Sequence, residues 1–277
     1  MQYWPLVQRR QHLRESSPTL SKPELADLKR AKQLLENPGV IAKFSSLLGS
    51  PIEKGMKMLP AKWEKFVHTA TEAALMKALD IAISTMSDKT GGPTRGRAHQ
   101  FAVAVTGALG GAVGLPALAV ELPISTSVML RSIAAIAASE GENPKHLDTK
   151  LACLTVFALG STRDKKDDAA ESGYFATRTA LASAVSEASK YLAQKGLAKA
   201  GAPALVRLIS LIGARFGVVV SEKAAAQSIP ILGAAGGALL NTVFIGHYQD
   251  MARGHFIVRR LEKIHGIDPV RIAYEKL

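Results

Sequence analysis

The sequence predicts an all-α protein, with a single multi-helix domain built around Gly-rich apolar helices and an N-terminal helical extension. Apolar residues recur at helical spacing along most of the chain, and no stretch sustains the alternation typical of a half-buried strand. The 277 residues are 47% hydrophobic, which is enough to fill a sizeable core. We place the extension at residues 1–59 and the domain at residues 60–277.

The extension contains a helix with a defined start and stop. Ser21 and Glu24 have the spacing of a capping box, and Asn37-Pro38-Gly39 would end the segment. Residues 40–48 form a second amphipathic piece, which we expect to pack on the domain rather than lie on a membrane. The apolar positions of the first helix are Leu25, Leu28, Leu34 and Leu35.

The domain is predicted to begin with an amphipathic helix over residues 60–86. Residues 87–97 combine glycine, proline and charge, a composition that predicts a loop. Further helices are expected over residues 124–138, 151–159 and 174–195.

Two uncharged runs, residues 101–120 and 224–249, are the most unusual feature of the chain. Each reaches the length of about 20 residues that crosses the hydrocarbon core of a bilayer. Pro116 and Glu121 weaken the first run as a span, and basic residues flank both runs on both sides, so no orientation follows. We expect tightly packed core helices, with a true span or a membrane-dipping hairpin as alternatives. Glycines expected at close helix contacts are Gly107, Gly111, Gly114, Gly233 and Gly237.

The charge of the chain restricts its partners. The formal net charge is +12 and the isoelectric point is near 9.8, which favours anionic lipid, nucleic acid or an acidic protein face. Nucleic acid ranks low because no Arg-rich block or recognised motif is present and aromatics are only 5%. We expect an anionic membrane surface or a membrane protein as partner, and a lipid-like ligand is a further candidate. Export is not expected, because the N-terminus does not resemble a secretory signal, and a single cysteine, Cys153, excludes an internal disulfide.

Glu121 is the residue that most needs a structural explanation. A carboxylate between Val120 and Leu122 must be paired, protonated or in contact with water. Arg131 is the nearest basic residue downstream and is the expected partner. A structural ion pair or a carboxylate at a helix end is favoured over catalysis, because structural networks also perturb ionisable groups.

Asp168 and Glu171 lie one turn apart and could bring carboxylates together for a metal. The neighbouring lysines favour a solvated helix start instead. The sequence contains no HExxH, GxSxG or GxxxxGK[ST] motif, so neither a metal nor a cofactor is expected. Four polar residues cluster along the C-terminal helix without a zinc spacing, and most of the histidines among them are interpreted as ordinary; they are His247, Asp250, His255 and Glu262.

Several motifs resemble the bacterial EcsC family. They include LPALAVELP at residues 115–123, FALG at 157–160 and ESGY at 171–174, and the likeness extends from about Trp63 to Gly266. The resemblance implies a mostly helical, hydrophobic protein at the cytoplasmic side of the membrane, in a family named for its genetic linkage to an ABC transporter. It implies no catalytic site. Its motif positions include Glu121, Arg131, Glu171, Tyr174, Asn241, Arg259 and Glu262.

These features support three hypotheses about function. The first is an accessory or interaction protein that docks on the cytoplasmic face of the membrane, linked to an ABC transporter or to protein secretion. The second is a hydrolase acting on a lipid-like or envelope substrate through Glu121 or the Asp168/Glu171 pair. The third is a pore or other integral protein, which requires both apolar runs to be embedded.

Overall fold

The computed structural model describes residues 20–36, 43–44, 57, 59, 62–85, 118–160, 173–195, 202–227 and 233–277. Within these ranges there are eight α-helices and no strand, which confirms the predicted all-α fold. A 3-10 turn, Val156–Ala158, directly follows the fourth helix. In chain order the helices are α1 Lys22–Glu36, α2 Trp63–Thr85, α3 Leu118–Ser139, α4 Leu147–Thr155, α5 Gly173–Lys195, α6 Pro203–Gln227, α7 Gly233–His265 and α8 Ile267–Lys276.

Helix α1 begins at the predicted capping box. The backbone N–H and the hydroxyl of Ser21 both donate to Oε2 of Glu24 at 2.7 Å, which satisfies a donor that the helix itself leaves without a partner. The helix ends at Glu36, directly before Asn37-Pro38-Gly39, as the sequence indicates.

The core lies among α2, α3, α6 and α7. Helix α2 packs against α3 and α6, while α7 packs against α1 and α3. Four aromatic rings fill the space between α6, α7 and the 3-10 turn, with centroids 5.0 to 6.0 Å apart. Such offset and edge-on contacts stabilise beyond the area they bury. The four rings belong to Phe157, Phe216, Phe244 and Tyr248.

Helix α1 is in contact with the domain through α7. A Cβ added at Gly254 of α7 would lie 2.6 Å from Cγ of Leu35 and 3.0 Å from the carbonyl oxygen of Ala31, so only glycine allows this approach. Leu28 and Ala31 of α1 are fully buried. The boundary between residues 59 and 60 stays a prediction.

The boundaries of the two apolar runs do not coincide with the boundaries of the helices in the structure. Residues 101–117 lie outside the described residues, and the second run is divided between α6, which ends at Gln227, and α7, which begins at Gly233. Residues 228–232, which include Pro230, lie outside the described residues. The expectation of tightly packed core helices stays a prediction for both runs.

Two described helices are long and apolar enough to cross a membrane by length and composition, over Val120–Ser139 and Pro203–Gln227. In their most apolar windows 56% and 44% of the residues are buried inside the protein. Core helices of soluble proteins have the same properties, so these two helices are weak support for membrane association.

We predict that Gly254→Ala lowers the free energy of unfolding by about 1–3 kcal/mol, because the added methyl group overpacks the α1–α7 contact. Gly246→Ala, in the same helix, is the matched control. An added Cβ there meets nothing within 4 Å, so the change should stabilise by up to about 1 kcal/mol through helix propensity. Urea unfolding of both variants measures the difference. Equal stabilities would contradict the close approach of α1.

Candidate functional site

The buried carboxylate of Glu121 pairs with Lys223, so the expected pairing with Arg131 was wrong. Nζ of Lys223, on α6, donates to Oε1 of Glu121 at 2.5 Å and lies 4.9 Å from the ring centroid of Phe244. Arg131 cannot reach Glu121, because ten residues of one helix separate their Cα atoms by about 15 Å along the axis. Arg131 is exposed on the outer side of α3 instead.

The Glu121–Lys223 pair is enclosed by protein. The side chains of Lys223 and Glu121 are 0% and 4% exposed. Burial lowers the pKa of Lys223, and the adjacent carboxylate opposes that shift. Because the carboxylate of Glu121 is bonded to the ammonium group, its role in this geometry is to join α3 to α6.

The second polar region combines motif residues from two helices. Tyr174 and Arg178 lie one turn apart on α5, and His255, Arg259 and Glu262 lie on one face of α7 at spacings of four and three residues. The structure thus brings together Tyr174, Arg259 and Glu262, three of the residues that the sequence singled out.

Arg178 and Tyr174 connect this region by hydrogen bonds. The guanidinium of Arg178 donates to both carboxylate oxygens of Glu262, at 2.7 and 2.9 Å, and Nη1 also donates to the Tyr174 hydroxyl at 3.2 Å. A two-pronged contact of this kind fixes the orientation of the guanidinium. Tyr174 Oη and Nδ1 of His255 are 2.9 Å apart.

The protonation of His255 follows from this arrangement. The Tyr174 oxygen accepts a hydrogen bond from Arg178. The Tyr174 hydroxyl proton then needs an acceptor, and Nδ1 of His255 is in position to be that acceptor. A neutral ring with an acceptor at Nδ1 carries its proton at Nε2. Burial, with the positive charges of Arg178 and Arg259, holds the pKa of His255 well below its usual value, which keeps the ring neutral. Nε2 is buried and has no hydrogen-bond partner among the described residues.

Arg259 is held by Glu142, in the turn between α3 and α4. Nε of Arg259 donates to Glu142 at 3.0 Å, Nζ of Lys263 approaches the same carboxylate to 2.8 Å, and the hydroxyl of Thr149 donates at 3.0 Å. Burial would raise the pKa of Glu142, but these donors outweigh it and the net pKa is lowered. Glu142 is therefore an ionised anchor behind Arg259.

Arg178, His255 and Arg259 border a cleft of ≈ 550 Å³ between α4, α5 and α7. Its volume lies within the range of about 300–1,000 Å³ that small-molecule sites occupy. Aliphatic side chains form part of the wall, and the polar part carries three cations and one carboxylate. The charged and histidine members are Asp148, Arg178, Lys190, His255 and Arg259.

A smaller groove of ≈ 260 Å³ lies between α2 and α3 and is mainly apolar. Lys77 and Arg131 lie at its edge, and Ile124 forms part of its wall. One turn before Ile124, Val120 is 68% exposed.

The remaining predicted residues lie elsewhere. Asn241 and Gly237 are buried in α7, and Gly233 is its first residue. Their expected roles stay predictions. Outside the described residues are Gly107, Gly111, Gly114, Asp168 and Glu171.

Sequence reasoning did not single out Arg178, Lys223 or Glu142 and interpreted His255 as ordinary, although two of these four residues carried a usable signal. Arg178 follows Tyr174 by one turn, and His255 precedes Arg259 by one turn, so each pair shares a helix face. Lys223 and Glu142 gave no local signal, because their partners are distant in sequence.

Among the described residues, no group of three or more His, Cys, Asp or Glu side chains could hold a metal ion. Cys153 is fully buried, and burial raises the pKa of its thiol. The described cysteine thus has the environment of a core residue rather than of a reactive thiolate.

The chain belongs to the EcsC protein family, whose sequence model matches residues 24–261. The match begins inside α1 and continues through most of α7, so it includes both the Glu121–Lys223 pair and the cleft. Comparisons with curated proteins and with solved structures found no significant match.

We predict that Glu121→Gln lowers the free energy of unfolding by about 3–5 kcal/mol, because the Lys223 ammonium would stay buried without its counter-charge. Glu187→Gln is the matched control. It breaks an ion pair with Arg207 whose side chains are 44% and 58% exposed, which should cost at most about 1 kcal/mol. Chemical denaturation measures both. If Glu121→Gln lowers the free energy of unfolding no more than Glu187→Gln does, the buried pair does not stabilise the fold.

We also predict that stability falls as the pH is lowered from about 6.5 towards 5. Nε2 of His247 donates to the carbonyl of Gly160 at 3.0 Å, and burial lowers the pKa of His247 from 6.5 to about 4. The unfolded chain therefore binds more protons in this interval, which costs up to about 1.4 kcal/mol per pH unit for each such histidine. Urea unfolding at several pH values should show a shallower slope of stability against pH for His247→Gln than for the unchanged protein. Identical slopes in the two proteins would refute this role of His247 in the loss of stability.

Proposed function

We propose that this protein is a peripheral accessory protein that docks on the anionic cytoplasmic face of the membrane. We define the docking face as Val120, Ile124 and Arg131 of α3 together with Lys77 of α2. The observation that carries the proposal is the exposure of two large apolar side chains beside two cations on this face.

The spacing along α3 supports a common orientation. Val120, Ile124 and Arg131 are separated by four and seven residues, so they lie along one side of the helix. Val120 is 68% and Ile124 44% exposed, although both belong to the first turns of an otherwise largely buried helix. Apolar side chains that reach the acyl boundary, with cations at headgroup level, are typical of peripheral membrane binding.

Electrostatics favours an anionic lipid surface over a neutral one. Lys77 and Arg131 border the groove next to Ile124, and the whole chain carries a net charge of +12. Each basic residue near an anionic leaflet contributes about 1 kcal/mol. Together with family membership, this supports a role beside a membrane partner, for which an ABC transporter or a secretion complex is our proposal.

The test is flotation of the full-length protein with vesicles of phosphatidylcholine alone or mixed with phosphatidylglycerol. We expect binding to the mixed vesicles that salt weakens, since Debye screening acts on exposed charges. The double change Val120→Asp with Ile124→Asp should abolish binding. Its matched control is Ile267→Asp with Ile272→Asp on α8, where the side chains are 61% and 51% exposed.

A second pair of variants tests the charge. Arg131→Gln should weaken binding to the mixed vesicles about fivefold, which corresponds to the loss of one cation near the surface. Lys276→Gln, at the end of α8, should bind like the unchanged protein. Equal retention by neutral and anionic vesicles, or full binding by the double variant on α3, would refute docking through this face and favour a protein partner.

A further inference from the structure

We infer that the cleft between α4, α5 and α7 binds an amphipathic anion, a molecule with a phosphate or carboxylate head and an aliphatic part. This inference concerns α5 and α7 and is independent of membrane docking through α3. It rests on the placement of charges around the cleft, on an unpartnered buried donor and on the division of the wall into polar and apolar parts.

The cations face the cleft while their counter-charges lie behind them. Arg178 and Arg259 are each 23% exposed and line the cleft, whereas the carboxylates that hold them, Glu262 and Glu142, are only 7% and 4% exposed and do not line it. Each guanidinium is thereby fixed in orientation and has donors beyond those used by its carboxylate. Rigid, oriented guanidinium groups are suited to phosphate or carboxylate heads.

The net charge of the wall is positive. Three cations line it, and the single carboxylate, Asp148, accepts a hydrogen bond from Ser189 at 3.2 Å. Lys190, the third cation, is exposed at the edge of the cleft. An anion entering between these groups gains attraction in partly desolvated surroundings, where charges interact more strongly than in water.

His255 supplies an independent indication of a ligand. It is 3% exposed and lines the cleft, and its Nε2 has no partner among the described residues. Because the hydrogen bond from Tyr174 places the proton on Nε2, this atom is a donor. A buried donor without a partner costs free energy, and a ligand oxygen would satisfy it.

The apolar part of the cleft wall is the reason for inferring a ligand with an aliphatic part. Helix α5 contributes aliphatic side chains at the spacing of one helix face, and the end of the 3-10 turn contributes Leu159. Small residues leave room between them for an aliphatic chain. The apolar members are Ala152, Leu159, Leu181, Ala182 and Val185.

Two exposed alanines on α5 provide a matched test. Ala182 lines the cleft, whereas Ala180 is two residues away, about 200° around the helix, and therefore lies on the opposite side. Ala182→Glu places a carboxylate and added bulk in the cleft, and Ala180→Glu makes the same change outside it. Since both positions are exposed, neither change should prevent folding, and circular dichroism checks this.

The measurement is calorimetric titration of the full-length protein with hexyl phosphate, methyl phosphate and hexanol. We expect hexyl phosphate to bind most tightly, and Ala182→Glu to weaken it at least tenfold while Ala180→Glu leaves it unchanged. Preference for hexyl over methyl phosphate identifies a lipid-like ligand rather than a small polar metabolite. Equal binding of the two phosphates would overturn the lipid-like assignment, and equal binding of hexanol would overturn charge recognition.

Two further results would overturn the site itself. One is an unchanged affinity for hexyl phosphate in Ala182→Glu. The other is the absence of measurable binding by the unchanged protein, in conditions where its circular dichroism shows that it is folded. Neither result bears on vesicle binding through α3, so failure of this inference and failure of the docking proposal are distinguishable.

Discussion

The ion pair between Glu121 and Lys223 determines which helices can occupy the centre of this protein. It joins the first turn of α3 to the end of α6, and these are the two described helices apolar enough to cross a membrane. Removing an ammonium and a carboxylate from water is costly, and only their close contact compensates for it. Helix α3 therefore cannot leave α6 without exposing an uncompensated charge to an apolar core. The pair supports an arrangement in which both helices stay in the protein, which leaves the outer side of α3 for the membrane contact that we propose.

Helix α7 carries a second set of charges, which connects it to several other elements. Within its last turns, Arg260 bonds to Asp27 of α1 and to Glu140 after α3. The adjacent residue Arg259 pairs with Glu142 in the α3–α4 turn, and Glu262 pairs with Arg178 of α5. Helix α7 is therefore connected by charged groups to α1, to the α3–α4 turn and to α5. Because the guanidinium groups are fixed from behind, the cleft keeps a positive wall without a bound ligand.

Local signals in the sequence predicted the parts of the fold that depend on local chemistry. The capping box at Ser21 and Glu24 is formed as expected, and the helices near residues 60–86 and 174–195 are present over Trp63–Thr85 and Gly173–Lys195. Pairings between helices could not be predicted in this way. Glu121 meets Lys223 across 102 positions, and nothing nearby in sequence favours that residue over Arg131.

The same limit applies to the candidate cleft. Helical spacing places His255 and Arg259 on one face of α7, and Tyr174 and Arg178 on one face of α5. The two faces meet because of tertiary packing, and that packing is driven by burial of aromatic and aliphatic side chains. The unpartnered Nε2 of His255 is visible only once those contacts exist. Tyr174, Arg259 and Glu262 are among the motif positions of the family resemblance, but the resemblance gave no reason for their grouping.

Extraction of native membranes with high salt and with alkaline carbonate, followed by blotting for the full-length protein, tests most directly whether α3 and α6 remain core helices. A peripheral protein held by cations and by Val120 and Ile124 should enter the soluble fraction in both treatments. Retention in the membrane pellet after carbonate would contradict the arrangement, because it would mean that at least one apolar helix is embedded in the bilayer.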